Sequence, residues 1–79
     1  SLAGKAGVSG EVTSVDPSKD GLSLDVGMKA VGTFGGLYVF LTLLENAPYE
    51  IEFVGIEMHR EVINKWNLTV KMKLLSFLN

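Results

Sequence analysis

Two segments of the chain alternate strictly between apolar and polar side chains. The first covers residues 22–31, where Leu, Val, Met and Ala occupy the even positions from Leu22 to Ala30. The second covers residues 66–74 and follows the same rule from Trp66 to Leu74. Successive side chains of a strand point to opposite faces, so this alternation is typical of strands with one face in a core and the other in water.

A weaker pattern predicts a first strand over residues 8–15, which carry Val8, Val12 and Val15. The sequence DPSKDG at 16–21 then predicts a turn, because Pro sets φ and the acidic residues and Gly tolerate unusual backbone angles. We expect a chain reversal between this strand and the alternating segment that follows.

Residues 49–58 alternate with a slip in phase, and this predicts a strand with a bulge. Ile51 and Phe53 share one face, whereas Ile56 and Met58 fall on the other. A β-bulge at Val54–Gly55 restores the register, and Gly is suited to that position. Between this strand and the last one we expect a loop over 60–65, with its tip at Asn-Lys. The last strand is expected to run as far as Phe77.

The segment 34–46 predicts a helix. Thr33 is a suitable N-cap, and Asn46 and Pro48 are typical of a helix end. Gly35 and Gly36 weaken the first turn. The order strand, strand, helix, strand, strand then predicts an α+β fold, a two-layer sandwich with one helix on an antiparallel-rich sheet. We assign one domain to residues 8–79 and interpret 1–7 as a flexible N-terminal segment or a cloning remnant.

The predicted helix is apolar over a wider arc than one sheet requires. Its apolar residues spread over about 220° of the helical wheel, whereas a helix that covers a sheet needs little more than about 100°. These residues are Phe34, Leu37, Val39, Phe40, Leu41, Leu43 and Leu44. The excess must contact a second helix, of the same or another chain, or stay exposed.

Composition strengthens the expectation of an external contact. The chain has 79 residues, of which 47% are hydrophobic, and a domain of this size buries a smaller share of its surface than a large one. Its net charge of −2 does not suit a nucleic-acid binder or an electrostatic membrane-surface module. Without Cys it has no disulfides. Residues 1–20 lack the apolar core of a signal peptide, and no apolar run reaches membrane-spanning length. As the sequence does not start with Met, we expect a part of a longer protein, whose anchor or targeting signal can lie elsewhere.

No motif predicts catalysis, a cofactor or a metal. Gly32, Gly35 and Gly36 lack the spacing of either nucleotide-binding loop, and His59 is the only histidine. Glu50 and Glu52 share a strand face without a neighbouring base or nucleophile. We therefore expect no catalytic, cofactor-binding or metal-binding residues, and no enzymatic activity.

The central region resembles the PilO family of type IV pilus assembly proteins. The family pattern is a strand that runs into Gly and an aromatic residue, then a helix that ends in Leu-Glu-Asn, then Pro and a further strand. The matching residues are Val31, Gly32, Phe34, Phe40, Leu41, Leu44, Glu45, Asn46, Pro48, Ile51, Ile56 and Met58. The likeness covers about 20–77, and the Gly35–Gly36 pair departs from it.

The resemblance implies a ferredoxin-like domain, circularly permuted, that lacks its first helix and runs ββαββ. It implies a non-enzymatic structural component of the inner-membrane alignment complex, located in the periplasm and anchored through a segment absent from this chain. Homodimers and a PilN-like partner are implied, with no nucleic acid. Two alternatives stay open: a type II secretion assembly domain of the GspM or GspL kind, and a small-molecule-sensing regulatory domain of the ACT type.

From these readings we predict a topology, a core and an interface. The sheet order is expected to be third, fourth, second, first strand, with the second and fourth as parallel central neighbours. Six residues are expected in the core: Leu24, Val26, Leu41, Leu44, Val70 and Met72. A homodimer interface is expected on the helix flank and the first strand, which is also a candidate edge for pairing. Its residues are Val39, Phe40, Leu43, Val8 and Val12.

Overall fold

Four strands and one helix follow one another in the order ββαββ. The structure, a computed structural model, describes residues 7–76. Residues 1–6 of the expected flexible segment and the expected strand end at Phe77 lie outside them. The elements are β1 (Ser9–Pro17), β2 (Leu24–Gly32), α1 (Phe34–Glu45), β3 (Glu50–Val62) and β4 (Lys65–Ser76). The α+β class and the element order are confirmed.

The strands form one sheet in the order β1-β2-β4-β3, and every neighbouring pair is antiparallel. The predicted order and the central pairing of β2 with β4 are confirmed. The prediction that β2 and β4 run parallel is wrong. The helix returns the chain across the sheet, so β3 runs in the direction of β2. The tight turn after β3 then reverses β4, which makes it antiparallel to both.

The first turn is shifted towards β2 relative to the prediction. Asp16 and Pro17 still belong to β1, and β2 begins at Leu24, so that Leu22 lies in the turn and is exposed. Ser18 is buried, and its hydroxyl oxygen accepts a hydrogen bond from the Ser23 N–H at 3.2 Å. The Asp20 carboxylate accepts bonds from the Ser18 hydroxyl and the Leu22 N–H. These side chains hold the turn in one shape.

The second turn is shorter than the predicted loop. β3 reaches Val62 and β4 starts at Lys65, which leaves Ile63 and Asn64 as the turn. Asn64 has φ 62°, a left-handed conformation that Asn adopts more readily than most residues. An exposed ion pair joins Lys65 Nζ to Glu61 Oε2 at 3.7 Å across this turn.

The helix begins and ends close to the predicted positions. The Thr33 hydroxyl accepts a hydrogen bond from the Gly36 N–H at 3.0 Å, which confirms it as the N-cap. Asn46 is the C-cap, and its N–H donates to the Thr42 carbonyl. Beside the helix start, the rings of Phe34 and Trp66 pack edge to face with centroids 5.1 Å apart.

Both edge strands contain a bulge. The one in β3 lies at Val54, between the paired positions Phe53 and Gly55, as predicted. The other lies at Thr13 in β1 and was not predicted. Each bulge adds one unpaired residue. Apolar residues on either side of it, such as Phe53 and Ile56, therefore lie on the same face of the sheet although they are three residues apart.

The core lies between α1 and one face of the two central strands. Its buried cluster consists of Ala30, Leu37, Phe40, Leu44, Leu68 and Val70. Leu44, Val70 and Met72 are buried as predicted. Leu24 and Val26 are only half-buried and lie outside the core, so those two assignments are wrong; Leu41 is half-buried as well but packs against the core cluster. The reason is that α1 covers one part of the sheet and leaves the rest of that face open.

Replacement of Leu37 by Ala tests this assignment of the core. Leu37 is completely buried, whereas Leu41 on the same helix is half-buried. We expect Leu37→Ala to lower the free energy of unfolding by about 2–5 kcal/mol, because it leaves a cavity in the core. Leu41→Ala should cost clearly less. Urea denaturation of both variants measures the difference, and equal losses would show that the buried side of the helix is assigned wrongly.

The first turn predicts a dependence of stability on pH. The pKa of Asp20 is lowered by the hydrogen bond from the Ser18 hydroxyl and by that from the Leu22 N–H. A carboxyl group with a lowered folded-state pKa stabilises the fold above its unfolded pKa, about 3.9, and loses that effect as pH falls through the folded value. The parent should therefore be more stable than Asp20→Ala at pH 7, and the gap should close below about pH 4. Denaturant melts from pH 7 to pH 2 measure the difference in the free energy of unfolding between the parent and Asp20→Ala. A difference that does not change with pH would contradict a lowered pKa of Asp20 in the folded state.

Candidate interaction surface

The helix-covered face of the sheet carries three consecutive rows of apolar side chains. Strand register aligns one residue from each strand in every row, in the order β1, β2, β4, β3. The rows are Val12–Met28–Val70–Ile56, Val15–Val26–Met72–Phe53 and Pro17–Leu24–Leu74–Ile51. Every position is apolar, so this face is built for burial from one edge of the sheet to the other.

One helix does not cover this face. Four strands about 4.8 Å apart span roughly 14 Å between the outer strand axes, and a helix with its side chains is about 10–12 Å wide. The helix packs on β2 and β4, where Val70 is fully buried. In the outer strands Val12 is 55% exposed, Val15 54% and Ile56 49%. Apolar surface is therefore left open, most of all along β1, whose residues are all exposed.

The helix also presents apolar side chains to solvent. Val39 is 46% exposed, and Phe34 and Tyr38 are exposed as well. Leu43 is half-buried. The excess apolar arc predicted from the sequence is thus real on the side that faces away from the sheet.

The five residues predicted for the interface fall into two groups. Val12 and Val39 are exposed, and Leu43 is partly accessible. Val8 is partly buried and packs against the core cluster. Phe40 is 1% exposed and belongs to the core, so its place on an exposed flank is corrected. Its ring points to the sheet because the buried stripe of α1 runs through Leu37, Phe40 and Leu44.

Val15 is a member of this surface that the sequence reasoning did not single out. An unbroken strand would place Val12 and Val15 on opposite faces, because they are three residues apart. The bulge at Thr13 brings both to the helix side, where Val15 pairs with Val26. A spacing of three between apolar residues in a strand is the signal that would have revealed it. The same signal revealed the bulge in β3.

The sheet edges are less suited to pairing than this face. β1 has the bulge at Thr13, Pro17 at its end, and the acidic residues Glu11 and Asp16. β3 has the bulge at Val54 and four glutamates. Bulges, Pro and like charges are features that hinder edge-to-edge association. β1 is an edge strand as expected, but packing through the apolar face is favoured over strand addition.

Little in the described residues points to chemistry. Within 7–76 no three His, Asp or Glu side chains lie close enough to hold a metal ion. His59 is exposed. Besides Asp20, the pKa of Glu61 is lowered, first by the hydrogen bond from the Asn67 amide and then by the charge of Lys65. This carboxylate lies beside the β3–β4 turn on the surface and serves to hold that hairpin.

Comparison with known protein families, curated proteins and solved structures finds no match to this chain. In the described part of the chain, α1 is far too short for a membrane span. We name the open apolar positions on this side of the molecule the helix-side surface and define it by Val12, Val15 and Val26 on the sheet and Val39 on the helix.

Proposed function

We propose that this chain is a non-enzymatic assembly domain that works by covering its helix-side surface with a second protein surface. The observation that carries the proposal is the set of three apolar rows, which continues to the edges of the sheet beyond the reach of α1. Contiguous exposed apolar surface is typical of protein–protein contacts. The face of the sheet away from α1 carries mainly charged, hydroxyl and glycine residues and no comparable apolar rows.

We propose a circularly permuted ferredoxin-like fold for this domain. A sheet in the order β1-β2-β4-β3, with all neighbours antiparallel and a helix between β2 and β3, is consistent with a circularly permuted ferredoxin-like domain without its first helix. In such a two-layer domain a second helix would lie on the same face as α1. Such a helix would cover the margin of the sheet along β1, which α1 leaves exposed.

A second copy of the chain is the first partner we propose. The chain carries both an apolar sheet face at Val12 and Val15 and an exposed apolar helix residue, Val39. A two-fold dimer needs such a self-complementary patch, because the helix residue of each copy then packs on the sheet face of the other. A PilN-like protein with the same fold would use the surface in the same way. In this account the chain acts as a PilO-like component of the type IV pilus alignment complex. It lies on the periplasmic side and is anchored through a segment outside the chain.

Charge substitutions on the helix-side surface test the proposal. We expect the parent to form dimers at tens of micromolar. Val15→Lys and Val39→Lys should each weaken the dimer at least about tenfold, since each leaves a desolvated charge in an apolar contact. Sedimentation equilibrium over a range of concentrations measures the dissociation constants. Both side chains are about half exposed, so the monomer fold should persist, and circular dichroism checks this.

Ile63→Lys is the matched control. Ile63 is also apolar and exposed, but it lies in the β3–β4 turn and not on the sheet face. The dissociation constant of the Ile63→Lys dimer should match that of the parent. A parent that stays monomeric throughout the range would overturn the proposal, as would an Ile63→Lys variant that dissociates as readily as Val15→Lys.

A further inference from the structure

The bulges at Thr13 and Val54 lie in the same row of the sheet. Thr13 precedes Ser14, which pairs with Gly27; Gly27 pairs with Lys71, and Lys71 pairs with Gly55 directly after the bulge at Val54. The row therefore reads Ser14–Gly27–Lys71–Gly55 from edge to edge. Bulges kink a strand and redirect side chains, and they are frequent beside functional sites.

This row forms a trough on the open face of the sheet, opposite the helix. Residues 26 and 28 on either side of Gly27 point to the helix side, so residue 27 faces the open side. Two of its four positions are glycines. Nothing lies within 4 Å of the place that a Cβ atom of Gly55 would take, and over Gly27 the side chains of Thr13 and Ser14 approach. A cleft of about 460 Å³ lies here, and its lining includes Thr13, Ser14, Gly27 and Lys71. A strand glycine often marks a place where another group approaches the backbone closely.

Two hydroxyl groups converge over Gly27. A Cβ atom at position 27 would lie 2.7 Å from Ser14 Oγ and 2.9 Å from Thr13 Oγ1. The bulge explains this, since it turns two consecutive side chains of β1 towards the same face. Each hydroxyl can donate one hydrogen bond.

Lysines supply positive charge along the trough. Lys71 lies between the two glycines of its row, so no acidic residue is directly opposite it. Lys29 and Lys73 lie two residues away on β2 and β4 and line the same cleft. Glu11 is directly opposite Lys29, and Asp25 and Glu52 are directly opposite Lys73, so Lys71 is the one of the three without an acidic residue across from it. Among residues 7–76 the ion pair of Lys65 with Glu61 is the only one, so these three ammonium groups have no carboxylate within 4.0 Å.

Acidic residues limit the size of an anion that fits. Asp16 and Asp25 line the cleft beside the lysines, and Glu57 lies across from Thr69 on β3. A long polyanion would meet these carboxylates, and like charges repel it. A single oxyanion at Lys71 and the two hydroxyls needs only their row, which contains no acidic residue.

We propose that the trough is a binding site for a small ligand with one oxyanion group, a carboxylate or a phosphate. The Lys71 ammonium supplies the charge, and the Ser14 and Thr13 hydroxyls donate hydrogen bonds to the oxyanion. Hydrogen bonds with a charged partner are the stronger ones, and they set the orientation of the ligand. The site lies on the face opposite the helix-side surface, so it does not depend on the proposed assembly function.

Titration of ¹⁵N-labelled protein with sodium phosphate and, separately, with sodium acetate tests the site. We expect saturable shifts of the amide signals of Thr13, Ser14, Gly27 and Lys71 with at least one of the two anions, and the one that saturates identifies the group. Sodium chloride at matched ionic strength is the reference. Shifts that do not saturate with either anion, or that chloride reproduces, would overturn the proposal.

Two variant pairs separate a site from a general charge effect. Lys71→Gln should weaken binding about tenfold, as expected for loss of a charged hydrogen-bond donor, whereas Lys65→Gln should leave it unchanged. Gly27→Ala should also weaken binding, because its methyl group displaces the two hydroxyls, which are free to rotate away and so spare the fold. Gly35→Ala, where nothing lies within 4 Å, is its control. Equal binding by Lys71→Gln and Lys65→Gln would refute the site.

Discussion

The burial of the apolar sheet face is the constraint on which this structure depends. Twelve residues in three rows turn their apolar side chains to the same side, and a single helix of 12 residues is the only element of the described chain on that side. The centre of the sheet is well covered, with Val70 and Leu68 almost completely buried. The margins are not covered, and the cost of their exposure to water is the driving force for association that we infer.

The two bulges maintain this division into an apolar and a polar face. If β1 paired regularly through Thr13, with no bulge, Val15 would turn to the polar side and Ser14 to the core side. If β3 paired regularly through Val54, Ile56 and Gly55 would exchange faces in the same way. Each bulge therefore extends the apolar rows to an edge of the sheet and at the same time shapes the row of glycines on the opposite face. Both candidate sites of the molecule therefore depend on these two bulges.

Much of this fold could be predicted from the sequence because its signals are local. Alternation identified β2 and β4, the slip between Phe53 and Ile56 identified the bulge in β3, and Thr33 identified the start of the helix. Strand direction is not encoded in alternation, which is why β2 and β4 were wrongly expected to be parallel. The lengths of the connections did contain that information, since a turn as short as Ile63–Asn64 requires an antiparallel pair.

The candidate surface was predictable only in outline. The wide apolar arc of α1 correctly indicated more than one contact, but a helical wheel does not show which part of a wide arc faces the sheet. Phe40 was therefore placed on the open flank, although it lies in the core. Val15 was missed because its face depends on a bulge whose only local sign is the spacing from Val12. The convergence of Thr13 and Ser14 over Gly27 needs the register of two strands, which no single segment contains.

If two copies meet at the helix-side surface, the contacts between copies that NMR detects should lie there. In a dimer sample mixed from ¹³C-labelled and unlabelled chains, nuclear Overhauser effects between a labelled and an unlabelled copy can be selected from those within one copy. For a dimer through the helix-side surface, we expect such effects at the methyl groups of Val12, Val15 and Val39. Effects confined to residues of the open face, such as Thr69, or to the β3 edge would contradict it.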